Sequence, residues 1–118
     1  KTRGDLLARL ALVPRTSEAR GLDVTPSIRD KLRQAGDSAA ADILDIILRD
    51  EIGHVAIGNH WYKYLCQQRG LDPLATYASL AEQYNAPKLR GPFNDEARRM
   101  AGFDEAELIA LRELAALR

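Results

Sequence analysis

The sequence has 118 residues, of which 46% are hydrophobic, and its 17 basic and 17 acidic side chains give a formal net charge of zero at pH 7. This length and hydrophobic content predict one domain, residues 1–118, with a modest core, and argue against a disordered chain. A neutral charge balance without a basic block argues against a nucleic-acid partner for this chain.

The number of cysteines and the length of the apolar runs indicate the cellular compartment and whether a membrane segment is expected. A single cysteine, Cys66, excludes an internal disulfide framework and favours a reducing, cytoplasmic setting. There is no secretory segment and no apolar run long enough to cross a bilayer, so no membrane association is expected. The sequence begins at Lys1, its sole methionine is Met100, and an amphipathic pattern starts within a few residues. We therefore expect a piece of a longer protein.

The first predicted element is a helix with Asp5 as its N-cap. It is expected to end near Arg20, with Gly21 as the stop signal. Pro14 lies inside this helix and should kink it, because proline has no backbone N–H to donate. The apolar residues of the helix follow helical spacing at Leu6, Leu7, Leu10, Ala11 and Pro14.

A short second helix and a long third helix come next. Thr25 as cap, Pro26 at the first helical position and Gly36 as terminator predict the second helix. The third begins after Asp37 and ends at Gly70, so it has about thirty residues, against about 11 or 12 for an average helix. Helices of this length are typical of helical bundles.

Shorter helices are predicted toward the end of the sequence. Asp72 and Pro73 open a fourth helix that runs to about Tyr84, and a loop rich in turn-forming residues follows it. Asn94 begins a short helix that Gly102 closes.

The last predicted helix begins with a capping box formed by Asp104 and Glu107 and runs to about Leu117. The charge-rich segment that contains it, "NDEARRMAGFDEAELIALREL", indicates solvated helix faces with short-range ion pairs. No alternating strand pattern, repeat or low-complexity segment occurs anywhere. The predicted fold class is all-α.

One stretch of the long helix, "RDEIGHVAIGNHWYKYL", places Glu51 and His54 on a stripe predicted to face the core. Burying such a pair without a partner costs several kcal/mol. Glu-x-x-His spacing puts a carboxylate and an imidazole one turn apart on one face, as two ligands of the same divalent metal require. The alternative is an intrahelical hydrogen bond or a partly solvated pair. The apolar neighbours on the stripe are Ile47, Leu48, Val55, Ile57, Gly58, Trp61, Tyr62 and Leu65.

Two further acids favour the metal interpretation. Asp50 directly precedes Glu51, which gives Asp-Glu-x-x-His. Glu18 lies on the first helix in line with Leu7, Ala11 and Pro14, so it is a second carboxylate on an apolar stripe. Two inward acids on neighbouring antiparallel helices predict a shared metal site.

Three segments, "DLLARLALVPRTSEARGLDVTP", "ILRDEIGHVAIGNHWYKYLCQQRGLDP" and "LRGPFNDEARRMAGF", resemble the C-terminal half of a bacterial ferritin-like family of unknown function. The fold of that family is similar to that of the di-iron tRNA hydroxylases. The resemblance implies a four-helix bundle with a dinuclear metal centre, to which each of two helix pairs gives a Glu and a Glu-x-x-His. It assigns Glu18 as the lone carboxylate, Glu51 and His54 as the Glu-x-x-His, and Asp50 as an acid hydrogen-bonded to a histidine ligand.

The sequence departs from the family pattern because the other two ligand-bearing helices are absent. One chain offers two carboxylates and one imidazole, which is half of the ligand set. Either the missing N-terminal half supplies the rest, or two chains do. Two copies related by a two-fold axis would provide four carboxylates and two histidines. Pairing would also cover apolar faces that a monomer leaves exposed, so we expect a homodimer.

The first functional hypothesis is a dinuclear iron or manganese centre that activates oxygen to oxidise or hydroxylate a small-molecule substrate. Carboxylate-rich sites suit these metals, and zinc is a competitor. The second hypothesis is a non-catalytic helical interaction or metal-storage module that folds stably without metal. A third, in which the substrate is an RNA base, has the neutral charge balance against it.

Overall fold

The computed structural model describes residues 4–116, and these residues form helices connected by short turns and loops, with no strand. The all-α prediction is therefore confirmed for this part of the chain. In the same range, no helix is long and apolar enough to cross a membrane. In chain order the elements are α1 (Leu6–Leu12), a π-helix (Val13–Glu18), α2 (Ala19–Gln34), α3 (Ser38–Gln68), α4 (Pro73–Gln83), α5 (Asp95–Met100) and α6 (Glu105–Ala116).

Most helix ends follow the capping signals of the sequence. Four predicted N-cap side chains accept a hydrogen bond from the backbone N–H three residues ahead, and they are Asp5, Asp37, Asp72 and Asn94. The predicted capping box is also present, because Asp104 and Glu107 each accept from the other's backbone N–H, at 2.9 and 3.1 Å. The predicted end of this helix, near Leu117, lies outside the described residues.

The boundary expected between the first and second helices is wrong. The chain continues from the π-helix into α2 without a break, so Gly21 does not stop a helix and Thr25 does not cap one. Pro26 lies inside α2 at the cost of one backbone hydrogen bond. Packing explains why the helix persists, since Leu22 is fully buried in the core and tertiary contacts override weak local signals.

The kink expected at Pro14 takes the form of the π-helix. Proline cannot donate to the preceding turn, and a π-helix relaxes the local hydrogen-bond register. Within it, the Ala19 backbone N–H reaches back five residues to the carbonyl of Pro14. The Thr16 hydroxyl also bridges five residues, donating to the Ala11 carbonyl over 2.9 Å.

Helix α3 is the axis of the molecule. Its 31 residues span about 46 Å at 1.5 Å per residue, which accounts for most of the 50 Å long dimension. The first of two apolar clusters along it involves α2, α5 and α6, and its buried members are Ala19, Leu22, Val55, Ala97, Ala101, Phe103 and Leu108. The second involves α1 and α4, and its buried members are Leu7, Ala8, Ala11, Tyr62, Cys66 and Leu80.

The π-helix meets α3 between these clusters at Gly58. A Cβ placed on Gly58 would overlap the Cβ and Cγ atoms of Pro14. Only glycine leaves room for this contact, so the pairing of Pro14 with Gly58 fixes how the π-helix lies on α3.

Part of the charge-rich segment expected to be solvated is buried. Arg98 binds Asp23 through Nε and Nη2 at 3.0 and 2.6 Å, and both side chains are at most 3% exposed. Glu107 pairs with Arg15, and each is 4% exposed. Burial is tolerable because each charge has a carboxylate or guanidinium partner, and those partners are far away in sequence.

Candidate metal site

Glu51 and His54 lie one turn apart near the middle of α3. The Nδ1 atom of His54 is 3.9 Å from the Oε2 atom of Glu51, so the two groups share one face as their spacing predicts. The Glu51 side chain is 24% exposed and that of His54 is 65% exposed. The expected burial of His54 is therefore wrong for this chain, because no described helix covers that part of α3.

Glu18 approaches the same region from the end of the π-helix. The residue is half-buried, and the negative charge of its carboxylate raises the pKa of Glu51. Across the interface, the Cγ atom of Glu51 is 4.0 Å from the position that a Cβ on Gly21 would take. The Glu51 side chain thus lies against α2, one turn beyond Glu18, and the structure brings together the two acids that the sequence singled out.

The environment of Glu51 disfavours its charged form. Burial raises the pKa of the Glu51 carboxyl, the charge of Glu18 raises it further, and the nearby His54 lowers it in part. In addition, the Oε1 atom of Glu51 is buried and has no hydrogen-bond partner among the described residues. A cation at this oxygen would reverse the penalty, since it attracts both carboxylates and satisfies the lone pairs.

These residues fit one side of a metal centre. Within residues 4–116, no group of three His, Cys, Asp or Glu side chains converges closely enough to hold a metal by itself. What the chain provides is an open face with Glu51 and His54 adjacent and Glu18 opposite. Asp50 is exposed beside Glu51, and its expected hydrogen bond to a histidine ligand stays a prediction.

The exposed side of α3 carries a regular apolar pattern, which we call the uncovered seam. Its positions step alternately by four and three residues along the helix. The five apolar members are each at least 44% exposed, and they flank the two polar ones. Alternating steps of four and three are the pattern of helices packed in coiled coils and four-helix bundles. The seam consists of Ile43, Ile47, Asp50, His54, Ile57, Trp61 and Tyr64.

Sequence reasoning missed two features that shape the site. The π-helix ends at Glu18, and such helices occur frequently at functional sites. Gly21 lies beside the Glu51 side chain, whose Cγ atom is 4.0 Å from the position of a Cβ on that glycine. The available signals were Pro14 four residues before Glu18 and a glycine three residues after it, but the sequence patterns do not show which residue of α3 would face them.

Comparisons with known proteins place these residues in a family without assigned chemistry. The model of a family described as "Protein of unknown function (DUF455)" matches residues 1–109. A relative from Haemophilus influenzae, described as an uncharacterized protein, is 52% identical over 107 residues. This match covers 91% of the chain but 37% of the relative, so the chain spans little more than a third of that protein's length. No solved structure matches the chain.

Proposed function

We propose that this chain, which belongs to the DUF455 family of proteins of unknown function, carries half of a dinuclear carboxylate metal centre. Glu18, Glu51 and His54 are the proposed ligands, and Asp50 is proposed to orient a histidine ligand by a hydrogen bond. The observation that carries the proposal is the partnerless, buried Oε1 atom of Glu51, which belongs to a carboxylate set against a second acid and beside an imidazole.

The donor set suits iron or manganese, because hard carboxylate oxygens with few imidazoles favour these metals, and zinc competes for the same ligands. When bound, the metal pair would supply the redox chemistry that activates oxygen. We propose oxidation or hydroxylation of a small-molecule substrate as the resulting activity. The part played by this chain is to hold the metal, with two carboxylates for charge and a neutral imidazole nitrogen as the third donor.

A second copy of the chain is the proposed source of the missing half. Two copies packed along the uncovered seam would form a ferritin-like four-helix bundle and bring His54 of each chain into its interior. A two-fold axis would then assemble four carboxylates and two histidines. The seam supports this arrangement through its bundle-type spacing and its exposed apolar residues. In the longer relative, the rest of that chain is the alternative source.

A non-catalytic module is the second candidate function. The exposed apolar residues of the seam favour it independently of any metal, because such a surface on a soluble protein marks an interaction site. This candidate predicts that the chain associates and stays folded when no metal is bound, and that changes at Glu51 alter stability alone.

Metal stoichiometry in matched variants tests the proposal. The chain is loaded without oxygen with Fe²⁺, Mn²⁺ or Zn²⁺, desalted, and analysed for metal per chain by elemental mass spectrometry. We expect about one ion per chain, lost in each of the variants Glu18→Ala, Glu51→Ala and His54→Ala. The controls are His60→Ala and Glu82→Ala, which change exposed residues of the same types. Equal metal in the ligand variants and the controls would overturn the proposed ligands.

A further inference from the structure

An apolar cavity of about 250 Å³ lies beside the π-helix, and none of the proposed metal ligands lines it. Its walls come from the π-helix, α4, α5, α6 and the loop segments between the helices. The lining side chains that determine what this cavity could bind are Arg15, Tyr77, Phe103, Ala110 and Glu113.

Arg15 stands at the wall of this cavity with an incomplete set of partners. The residue is 5% exposed, and its Nη2 atom binds the Glu107 carboxylate. Its Nε and Nη1 atoms are buried and have no hydrogen-bond partner among the described residues. The guanidinium lies over three rings, with Tyr62 4.3 Å away and Tyr77 and Phe103 each 5.2 Å away. Ring faces stabilise the charge, but they are weak hydrogen-bond acceptors.

Arg98 provides an internal comparison, because it lines the same cavity and also lies over Phe103, at 5.2 Å. Its guanidinium meets both oxygens of Asp23. Of the two arginines that are buried among residues 4–116, Arg98 therefore has a complete carboxylate partner and Arg15 an incomplete one. Buried polar groups are nearly always satisfied in native proteins, so the free edges of Arg15 call for an acceptor.

The charge around Arg15 points to an acceptor that is negative. Glu107 is shared between two cations, since the Lys63 Nζ atom also lies 2.7 Å from its Oε1 atom. Arg15, Lys63 and Glu107 together carry one formal positive charge in excess, and Lys63, whose side chain is 33% exposed, is the member of the three that reaches solvent. Glu113, which also lines the cavity, is exposed at its mouth, where water screens its charge.

We propose that the cavity binds a small organic carboxylate with an apolar body. The carboxylate accepts hydrogen bonds from the Arg15 nitrogens that lack a partner, and the apolar body fills the space beside Tyr77 and Phe103. Arginine and carboxylate form one of the stronger charge-assisted hydrogen bonds, and an apolar cavity with few polar groups is typical of small-ligand sites. This site is independent of the proposed metal centre.

Calorimetric titration of the full chain with octanoate and with 1-octanol tests this proposal. The two probes share an eight-carbon body, so the difference in their affinities reports on the carboxylate. EDTA is present throughout, which keeps the proposed metal centre out of the measurement. We expect octanoate to bind at least tenfold more tightly than 1-octanol. Equal affinity, or no binding of octanoate, would overturn the proposal.

Two variants locate the binding. Ala110→Trp fills the cavity and should abolish binding of both probes, whereas Ala106→Trp changes an exposed alanine of the same helix that does not line the cavity and should leave binding intact. Arg15→Lys should remove the preference for octanoate. If Arg15→Lys does not fold, Ala110→Trp and Ala106→Trp still test where octanoate binds. Octanoate binding that survives in Ala110→Trp would contradict the proposal.

Discussion

Glu51 occupies an environment that disfavours its charged carboxylate and should therefore destabilise the metal-free fold. Its carboxylate is largely buried, has an oxygen without a partner and faces Glu18. The few polar groups that a native protein leaves without a partner tend to lie at functional positions, and other interactions compensate for the lost stability. We therefore expect Glu51 to lower the free energy of unfolding of the metal-free chain and to stabilise the fold only when a cation is bound.

The first prediction concerns Glu51→Gln in the presence of EDTA. Because the pKa of Glu51 is raised in the folded state, the folded protein resists its ionisation. The resulting loss in the free energy of unfolding is present at pH 7. It disappears below about pH 4, where the carboxyl is protonated in both the folded and the unfolded state. Removing the charge should raise the free energy of unfolding by up to about 1 kcal/mol at pH 7, as measured by urea denaturation.

The control for that prediction is Glu82→Gln, which changes an exposed glutamate of α4 and should be neutral at both pH values. A loss of stability in Glu51→Gln at pH 7 would show that the carboxylate is satisfied in a way the structure does not contain.

Glu107 combines local and long-range roles. It completes the capping box with Asp104, and its buried carboxylate pairs with Arg15 in the interior and with the partly exposed Lys63. The second prediction is that Glu107→Ala lowers the free energy of unfolding by about 3–5 kcal/mol, because it leaves the buried guanidinium uncompensated. Glu113→Ala, an exposed change on the same helix, should alter it by less than about 0.5 kcal/mol. A loss of only about 1 kcal/mol for Glu107→Ala would mean that the cap alone matters.

Among individual residues, the sequence predicted the contacts between side chains that are close together along the chain. Spacing of three residues revealed the Asp104–Glu107 capping box and the Glu51–His54 pair. It did not reveal that Glu107 meets Arg15, because these residues are 92 positions apart and neither pattern points to the other. The same limit explains why a segment read as solvated contributes one member to each of two buried ion pairs, Arg98–Asp23 and Arg15–Glu107.

Among the elements, the contact between the π-helix and α3 is the most constrained. The third prediction compares Gly58→Ala with Gly53→Ala, two changes in the middle of α3. The methyl group at Gly58 would overlap Pro14, so this variant should lose about 1–3 kcal/mol of stability. A methyl group at Gly53 meets no atom within 4 Å, so better helix propensity should add up to about 1 kcal/mol.

Thermal denaturation of the two variants distinguishes packing from propensity. If both glycines were merely tolerated, both alanine variants would melt at higher temperature than the original chain. A higher melting temperature for Gly58→Ala would thus contradict the close approach of Pro14.

Helix ends were predictable where one side chain supplies the needed hydrogen bond, as Asp37 and Asp72 do. The continuous run from α1 through the π-helix to α2 was not, because Gly21 is a local stop signal, and Thr25 with Pro26 is a local start signal for a new helix. The burial of Leu22 outweighs those signals, and burial depends on α3, which the local pattern does not contain.

For the whole molecule, the uncovered seam is the surface through which we propose that two copies assemble. The fourth prediction is that the chain dimerises through it and that Ile57→Lys raises the dissociation constant of the dimer at least about thirtyfold, as loss of a central apolar contact does. The matched control is Ile109→Lys, because Ile57 and Ile109 are 61% and 57% exposed but lie on different helices. Analytical ultracentrifugation measures both. Equal effects of the two changes would place the interface elsewhere.

The candidate site could be predicted in part because its proposed ligands follow patterns visible within single helices. Glu-x-x-His is visible in one turn of sequence, and Glu18 stands out as an acid on an apolar stripe. The exposure of His54 was not predictable in the same way, since helical periodicity marks an apolar face without telling whether this chain or another one covers it. The stripe of α3 that was expected to face the core divides into two faces. One packs against the other helices, and the other is the uncovered seam.

Native mass spectrometry of the chain purified from iron-supplemented cells tests the central claim most directly, because it measures subunit number and bound metal together. The proposed centre predicts a dimer that carries two metal ions, and both ions should be absent from the His54→Ala variant. A metal-free species of any subunit number, or a metal content that His54→Ala leaves unchanged, would contradict the claim that Glu18, Glu51 and His54 form half of a dinuclear site.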